Sequence, residues 1–186
     1  MISYTELIDK YYPAGTPLRD IYLRHCRSVA HLALDIAAKK HLAIPLSLIE
    51  AAAMTHDIGI YRCNAPSIEC NGDEPYIRHG IIGGALLRLE GAPEEWARVA
   101  ERHTGSGLTA EEISEQHLPL PAADYLPESL LERLICYADK FYSKSENMEI
   151  KPLSKVRASM ARFGQASLDR FDALNREFST EVTAAG

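Results

Sequence analysis

The chain has no run of about 18 apolar residues, the length that a membrane-spanning helix needs, so no transmembrane segment is expected. Its opening residues, Met1 to Lys10, lack the basic stretch and apolar core of a secretory signal, which makes the cytoplasm the expected location. Cysteine is scarce: Cys26, Cys63, Cys70 and Cys136 are the full set, and none stands in a C-x-x-C pair. That spacing matches no common zinc pattern and favours reduced thiols over a disulfide framework. Cys63 and Cys70 share one loop and keep open a minority reading as a metal-binding or disulfide pair. Positive charge is not in excess either. The 20 Lys and Arg against 26 Asp and Glu leave a net charge of −6 without a basic stripe, so no nucleic-acid groove is expected. An anionic small molecule is not excluded, because divalent cations held in a cleft would reverse its local sign.

What is present is an ordinary globular composition, 46% hydrophobic and 25% charged over 186 residues, enough for one domain with a substantial core. The chain is read as a single domain over 1–186. Its apolar periodicity is helical nearly throughout, with no strand signal and no repeat, so the expected fold class is all-α. Over about 18–42, Ile21, His25, Val29, Leu32 and Ile36 recur at three- and four-residue steps and put His25 on an inward face. His31 falls about 240° round that helix from His25 and, with His41 and His117, is read as structural or exposed. Pro45 and Gly59 bracket a helix through Ala51, Ala52 and Ala53 to His56. A loop over 61–75 follows, then a helix over about 77–89 with His79 in its first turn. Pro93 opens a helix ending at His103, and Thr109 with Glu112 forms a capping box. Pro127 is expected to open a helix whose buried side carries Leu131, Leu134, Ala138 and Asp139. One last helix, about 154–178, is expected to run through Val156, Met160, Phe163, Leu168 and Phe171. The terminal residues 184–186 are expected to fray.

The chemistry concentrates in the histidines of these helices. His25, the adjacent His56 and Asp57, His79, His103 and Asp139 lie on or at the ends of different helices or turns, the way a helical bundle builds a metal site in its core. Imidazole and carboxylate suit borderline divalent metals. Four His and two Asp suffice for two ions with positions left for water and substrate. Singly, each residue says little; their order and contexts are far more specific.

In that order the sequence resembles the HD superfamily of metal-dependent phosphohydrolases, in its HDIG-type branch. The resemblance rests on His25 with Val29 and Ala30, on His56-Asp57-Ile58-Gly59, and on Asp139 after Ala138, and covers about residues 20–145. It implies a compact helical bundle with one metal held by His25, His56, Asp57 and Asp139. A second would take Asp57, His79 and His103, with Asp57 shared; alternatively His79 and His103 bind phosphate beside a single ion. One or two divalent transition ions (Fe, Mn, Ni, Co or Zn) are the implied cofactors. His56 and Asp57 are the implied catalytic residues. The implied reaction is hydrolysis of a phosphate ester or anhydride by metal-activated water, on a small phosphorylated substrate such as a nucleotide or dinucleoside polyphosphate. The stretch Arg102-His103-Thr104-Gly105 is similar to HD-type hydrolases of dinucleoside polyphosphates. Lys140, Arg78, Arg102 and Thr104, beside the ligands, are candidate substrate contacts, weighed against solvated charge or turn-shaping. No Gly-Tyr-Pro signature is present, which argues against the cyclic-di-GMP branch. Two other readings share the ligand set: a mixed-valent di-iron oxygenase and a non-catalytic nucleotide-binding module.

Overall fold

A computed structural model describes residues 2–144 and 149–184. Of the residues expected to fray, 185 and 186 lie outside the described set. Among the described residues the chain forms ten α-helices: α1 (Tyr4–Tyr11), α2 (Pro17–Lys39), α3 (Leu46–Thr55), α4 (His79–Leu89), α5 (Glu94–Arg102), α6 (Ala110–Glu115), α7 (Leu130–Asp139), α8 (Leu153–Ala161), α9 (Gln165–Phe178) and α10 (Glu181–Ala184). None is long and apolar enough to cross a membrane. The fold is all-α, as the periodicity requires.

Local chemistry starts these helices where they start. Thr16 caps α2 by accepting from Arg19 N–H, and Pro17, which has no N–H to satisfy, takes the first helical position. The predicted stripe of α2 is buried at His25, Val29, Leu32 and Ile36, while Ile21 is half-buried. Each large aliphatic side chain so buried contributes about 1.5–3 kcal/mol. The capping box of Thr109 and Glu112 forms as expected. All four cysteines are buried and free.

Four local readings change. The N-terminal helix α1, capped by a Ser3–Glu6 box, is not among the predicted elements. The loop over 61–75 contains a two-stranded antiparallel sheet, with Asn64 opposite Asn71 and Ala65 opposite Cys70. Strands of two residues are too short to carry an alternating signal. Helix α7 starts after Ser129 rather than at Pro127, because the Ser129 hydroxyl accepts from Glu132 N–H. The single C-terminal helix is divided at Gly164, whose φ of 106° breaks the helical path between α8 and α9. Phe163 is thereby turned out of the core and is 53% exposed.

Helices α2 and α3 pack together, α4 packs on α5, and α7 lies against α2, α5 and α9. The five helices that carry or end at proposed ligands, α2, α3, α4, α5 and α7, therefore share one interior. The α5–α7 contact contains a buried carboxylate. Glu132 accepts from Arg98 Nε at 2.8 Å and from the Glu128 N–H at 2.8 Å. Burial raises its pKa, but the Glu128 N–H, Arg98 and Ser129 outweigh it and hold the group below the usual carboxylate value. A depressed folded pKa stabilises above the unfolded value and loses that contribution as pH falls through the folded one. Glu132→Gln is expected to cost about 1–3 kcal/mol at neutral pH and to flatten the acid side of the stability profile. Denaturant melts at pH 7 and pH 4 measure this; an equal loss at both would disprove the ionic role.

Candidate metal centre

Each ligand is placed by a local feature of its own element. His56 ends α3 and His103 ends α5, where the last carbonyls have no helical partner. The His56 Nδ1–H donates to Ala53 O at 2.6 Å, and the His103 Nδ1–H to Ala100 O at 2.8 Å. His79, at the start of α4, donates in the same way to Tyr76 O at 2.7 Å. A carbonyl only accepts, so in the neutral form of all three rings the proton sits on Nδ1 and the Nε2 lone pair is left for a ligand. The backbone around Asp57 is held from α1 and α2, because the Tyr12 hydroxyl donates to Ile58 O at 2.9 Å and the Tyr22 hydroxyl to Met54 O at 2.6 Å.

Asp57 stands at the centre. Its Oδ2 lies 3.1 Å from His25 Nε2 and 3.1 Å from His56 Nε2. Its Oδ1 lies 3.4 Å from His103 Nε2 and 3.5 Å from His79 Nε2. Asp139 Oδ1 closes the first group, 3.0 Å from His25 Nε2 and 3.4 Å from His56 Nε2. The sequence-predicted ligands thus fall into two groups, His25, His56, Asp57 and Asp139, and Asp57, His79 and His103. The facing atoms of each lie within 4.8 Å of one another.

The donor chemistry fits a bound cation. His79 Nε2 and His103 Nε2 approach to 3.0 Å, yet both carry lone pairs there, because both protons are spent on carbonyls. Two acceptors at hydrogen-bond distance with no proton between them repel. Asp57 is fully buried, and its Oδ1 has no hydrogen-bond partner, while its Oδ2 meets the Lys144 ammonium at 2.6 Å. Buried polar atoms left so are costly, and a divalent ion in each group would satisfy them. The electrostatics agree. Burial, then the neighbouring His103, pushes His79 down to about 3, and burial also lowers His103, so both stay neutral ligands at neutral pH. Burial opposes the charge of Asp57, but Lys144 and His56 hold it well below the usual carboxylate range.

The glycine of the His-Asp-Ile-Gly run has a different task from the one its type suggests. It does not end a helix; it lies inside a 3-10 turn, Ile58–Arg62. A Cβ there would collide with His79 O and lie 2.6 Å from Gly83 N. Gly59 is what lets α4 come close enough to present His79. Gly59→Ala is expected to cost about 1–3 kcal/mol of stability through overpacking and to lower the metal held by the His79–His103 pair. Thermal melts with metal analysis of the purified variant check both. A variant with unchanged melting and full metal would show that the close approach is dispensable.

The proposed substrate contacts divide. The Lys140 amine is 8% exposed, donates to His103 O at 2.8 Å and lies 2.6 Å from Asp139 Oδ2, so it braces two ligands. Arg78 is paired with Glu74 and donates to Pro119 O. Arg102 is paired with Glu128 and donates to Leu126 O. Neither arginine is brought to the ligand cluster; each sits beside a histidine in sequence but points about 100° away. Arg78 instead lines a hollow of about 350 Å³ with Tyr61, Ile81 and Leu89, whose lining includes none of the six ligands. Thr104 shapes the turn, its carbonyl accepting from Gly107 N–H. His31, His41 and His117 are exposed.

Lys144 escaped the sequence reading. Its Nζ lies 2.6 Å from Asp57 Oδ2, closer than any imidazole. Five residues past Asp139 it would be off the ligand face of a continuing helix, but α7 ends at Asp139 and the chain bends back. The available signal was a second lysine in Asp139-Lys140-Phe141-Tyr142-Ser143-Lys144.

A family model described as HD domain matches residues 22–143. An uncharacterized protein of Methanocaldococcus jannaschii is 31% identical over 84% of this chain and 87% of its own length. A tRNA (cytidine(56)-2'-O)-methyltransferase of Picrophilus torridus is 33% identical over 72% of the chain, and one of Thermoplasma volcanium 29% over 77%. Those matches span only 35% and 38% of the two enzymes' lengths. Among solved structures, the HD domain of the L. monocytogenes phosphodiesterase PgpH aligns with a TM-score of 0.56 at 17% identity, covering 99% of this chain and 92% of that one. The same domain in complex with cyclic-di-AMP aligns with a TM-score of 0.52 at 14% identity, over 96% and 98%. At these identities the likeness is one of fold.

Proposed function

The chain belongs to the HD domain family, and we propose that it is a metal-dependent phosphohydrolase cleaving a phosphate ester or anhydride of a nucleotide or dinucleoside polyphosphate. The observation that carries the reading is the division of Asp57, one oxygen toward His25 and His56 and the other toward His79 and His103. In this reading His25, His56, Asp57 and Asp139 would hold one ion, and Asp57, His79 and His103 would hold another. Divalent transition ions so held supply an acidified water and a clamp on phosphoryl oxygens.

The side chains have separate tasks. His56, Asp57 and the other ligands fix the reacting centre in a buried pocket, where charge interactions are stronger than in water. Lys140 keeps His103 and Asp139 in place. Lys144, the ammonium nearest Asp57, offsets phosphoryl charge. The phosphodiesterase activity and the cyclic-di-AMP complex of the structural neighbour belong to that protein and are consistent with a phosphorylated, nucleotide-type ligand here. Methyl transfer is not carried over from the two tRNA-modifying relatives, whose length this chain spans only in part.

The test is a screen of phosphomonoesters, phosphodiesters, nucleotides and dinucleoside polyphosphates with metal-stripped protein reloaded with Mn, Fe, Co, Ni or Mg. Metal-dependent phosphate or nucleotide release is expected. No release with any ion, together with oxygen uptake by reduced, iron-loaded protein, would replace hydrolysis by the di-iron reading.

A further inference from the structure

Five of the six ligands are no more than 4% exposed, and Asp139 is the most open at 8%. The way into the centre is therefore on the Asp139 side. There Asp139, Lys140, Lys144 and Lys151 line a hollow of about 220 Å³, together with Val156, Met160 and Phe163 of α8 and the turn after it. A second hollow of about 330 Å³ adjoins it, sharing Tyr142, Lys144 and Lys151 and adding Tyr76 and Ile68. Among the described residues that line the two hollows, Asp139 is the one carboxylate, set against Lys140, Lys144 and Lys151. In a chain of net charge −6, this is a concentration of positive charge beside the reacting centre.

Two features narrow what fits. The cleft carries cation and aromatic surface together: Lys144 Nζ is 6.0 Å from the centroid of the Tyr76 ring, Tyr142 lines both hollows, and Phe163 remains 53% exposed. Aromatic and apolar side chains suit a base, and lysines suit phosphate oxygens. The combined space also exceeds what a lone phosphate needs. In addition, Lys144, Lys151, Met160 and Phe163 all lie beyond residue 143, where the family match ends.

We propose that this cleft selects the substrate. Lys151 holds a phosphate beyond the one that Lys144 meets beside Asp57, and Tyr142, Met160 and Phe163 cover a nucleobase. The ligand class is a nucleotide carrying at least two phosphates. This rests on the phosphohydrolase reading for what happens at the ions but not for the binding itself. Substrate choice then belongs to α8 and its flanks, while the shared 22–143 segment supplies the centre.

The test uses metal-loaded protein and two probes, adenosine 5′-(β,γ-imido)triphosphate and inorganic phosphate, with binding followed by calorimetry. The nucleotide is expected to bind at least about tenfold more tightly than phosphate, since one charge-assisted contact is worth about that factor. Lys151→Met and Phe163→Ala are each expected to shrink that ratio by about tenfold. Neither residue belongs to the two ligand groups, so metal content should equal that of the wild type. Ratios within twofold of wild type in both variants would overturn the proposal. Release of p-nitrophenol from bis(p-nitrophenyl) phosphate by the same samples separates the two ideas. Turnover with unchanged ratios removes the cleft and keeps the hydrolase; reduced ratios without turnover keep the cleft and remove the hydrolase.

Discussion

Asp57→Ala is expected to abolish turnover, by more than about a thousandfold or roughly 4 kcal/mol of transition-state stabilisation, and to empty both metal groups at once. Asp57 is the one residue common to the two clusters. Every other ligand serves one group, so His79→Ala or His25→Ala should lower metal content by about half. The helical fold should survive, because the core is built by apolar side chains such as Val29, Ile36, Ile49, Ile58 and Leu134 rather than by the carboxylate. Asp57→Asn is the companion variant: it keeps the shape and one carbonyl oxygen, so partial metal retention with lost turnover is expected. Metal analysis, circular dichroism and phosphate release on the same samples check this. Wild-type turnover by Asp57→Ala at equal metal loading would reject the assignment.

Chelation should remove all activity, and Mg alone should not restore it. The centre offers four imidazoles and two carboxylates, a set that suits Mn, Fe, Co, Ni or Zn, whereas Mg prefers a largely hydrated oxygen shell. Acid should also remove the two ions in sequence. Burial works against charge on His56, but Asp57 and Asp139 raise its pKa well above the ordinary value in the metal-free centre. A group with a raised pKa keeps its proton until pH passes that value, so an ion must displace the proton, and affinity at the His56 group falls as pH falls. His79, pushed down to about 3, and the lowered His103 hold their lone pairs into the acid range. The His56 group should therefore release its ion first. Metal content and turnover measured between pH 8 and about pH 5, a range set by imidazole titration, follow this order. Full activity with Mg, or loss of the His79–His103 ion first, would contradict it.

The histidines and aspartates were legible in sequence because each lies in a helix or helix-end context that periodicity can read. His25 falls on the buried stripe of α2, and Asp139 on the buried side of α7. The pairing of groups around Asp57 followed from family resemblance, and the structure places the same atoms together. Other assignments could not be read this way. Arg78 and Arg102 adjoin ligands in sequence, but the ion pairs that hold them, with Glu74 and with Glu128, join residues whose meeting no local pattern encodes. Gly59 reads as a helix stop, while its neighbours across the interior, His79 O and Gly83 N, give it its task.

The sequence by itself determined the all-α class and singled out the six residues that converge around Asp57, because periodicity and residue chemistry are properties of short stretches. Tertiary structure alone decided that Lys144 reaches Asp57, that Met160 and Phe163 line a hollow with Asp139, and that Lys140 meets both His103 O and Asp139. The physical reason is chain direction: the turn after α7 and the positive φ of Gly164 set where the following segments run, and which side chains then meet depends on residues far apart in sequence.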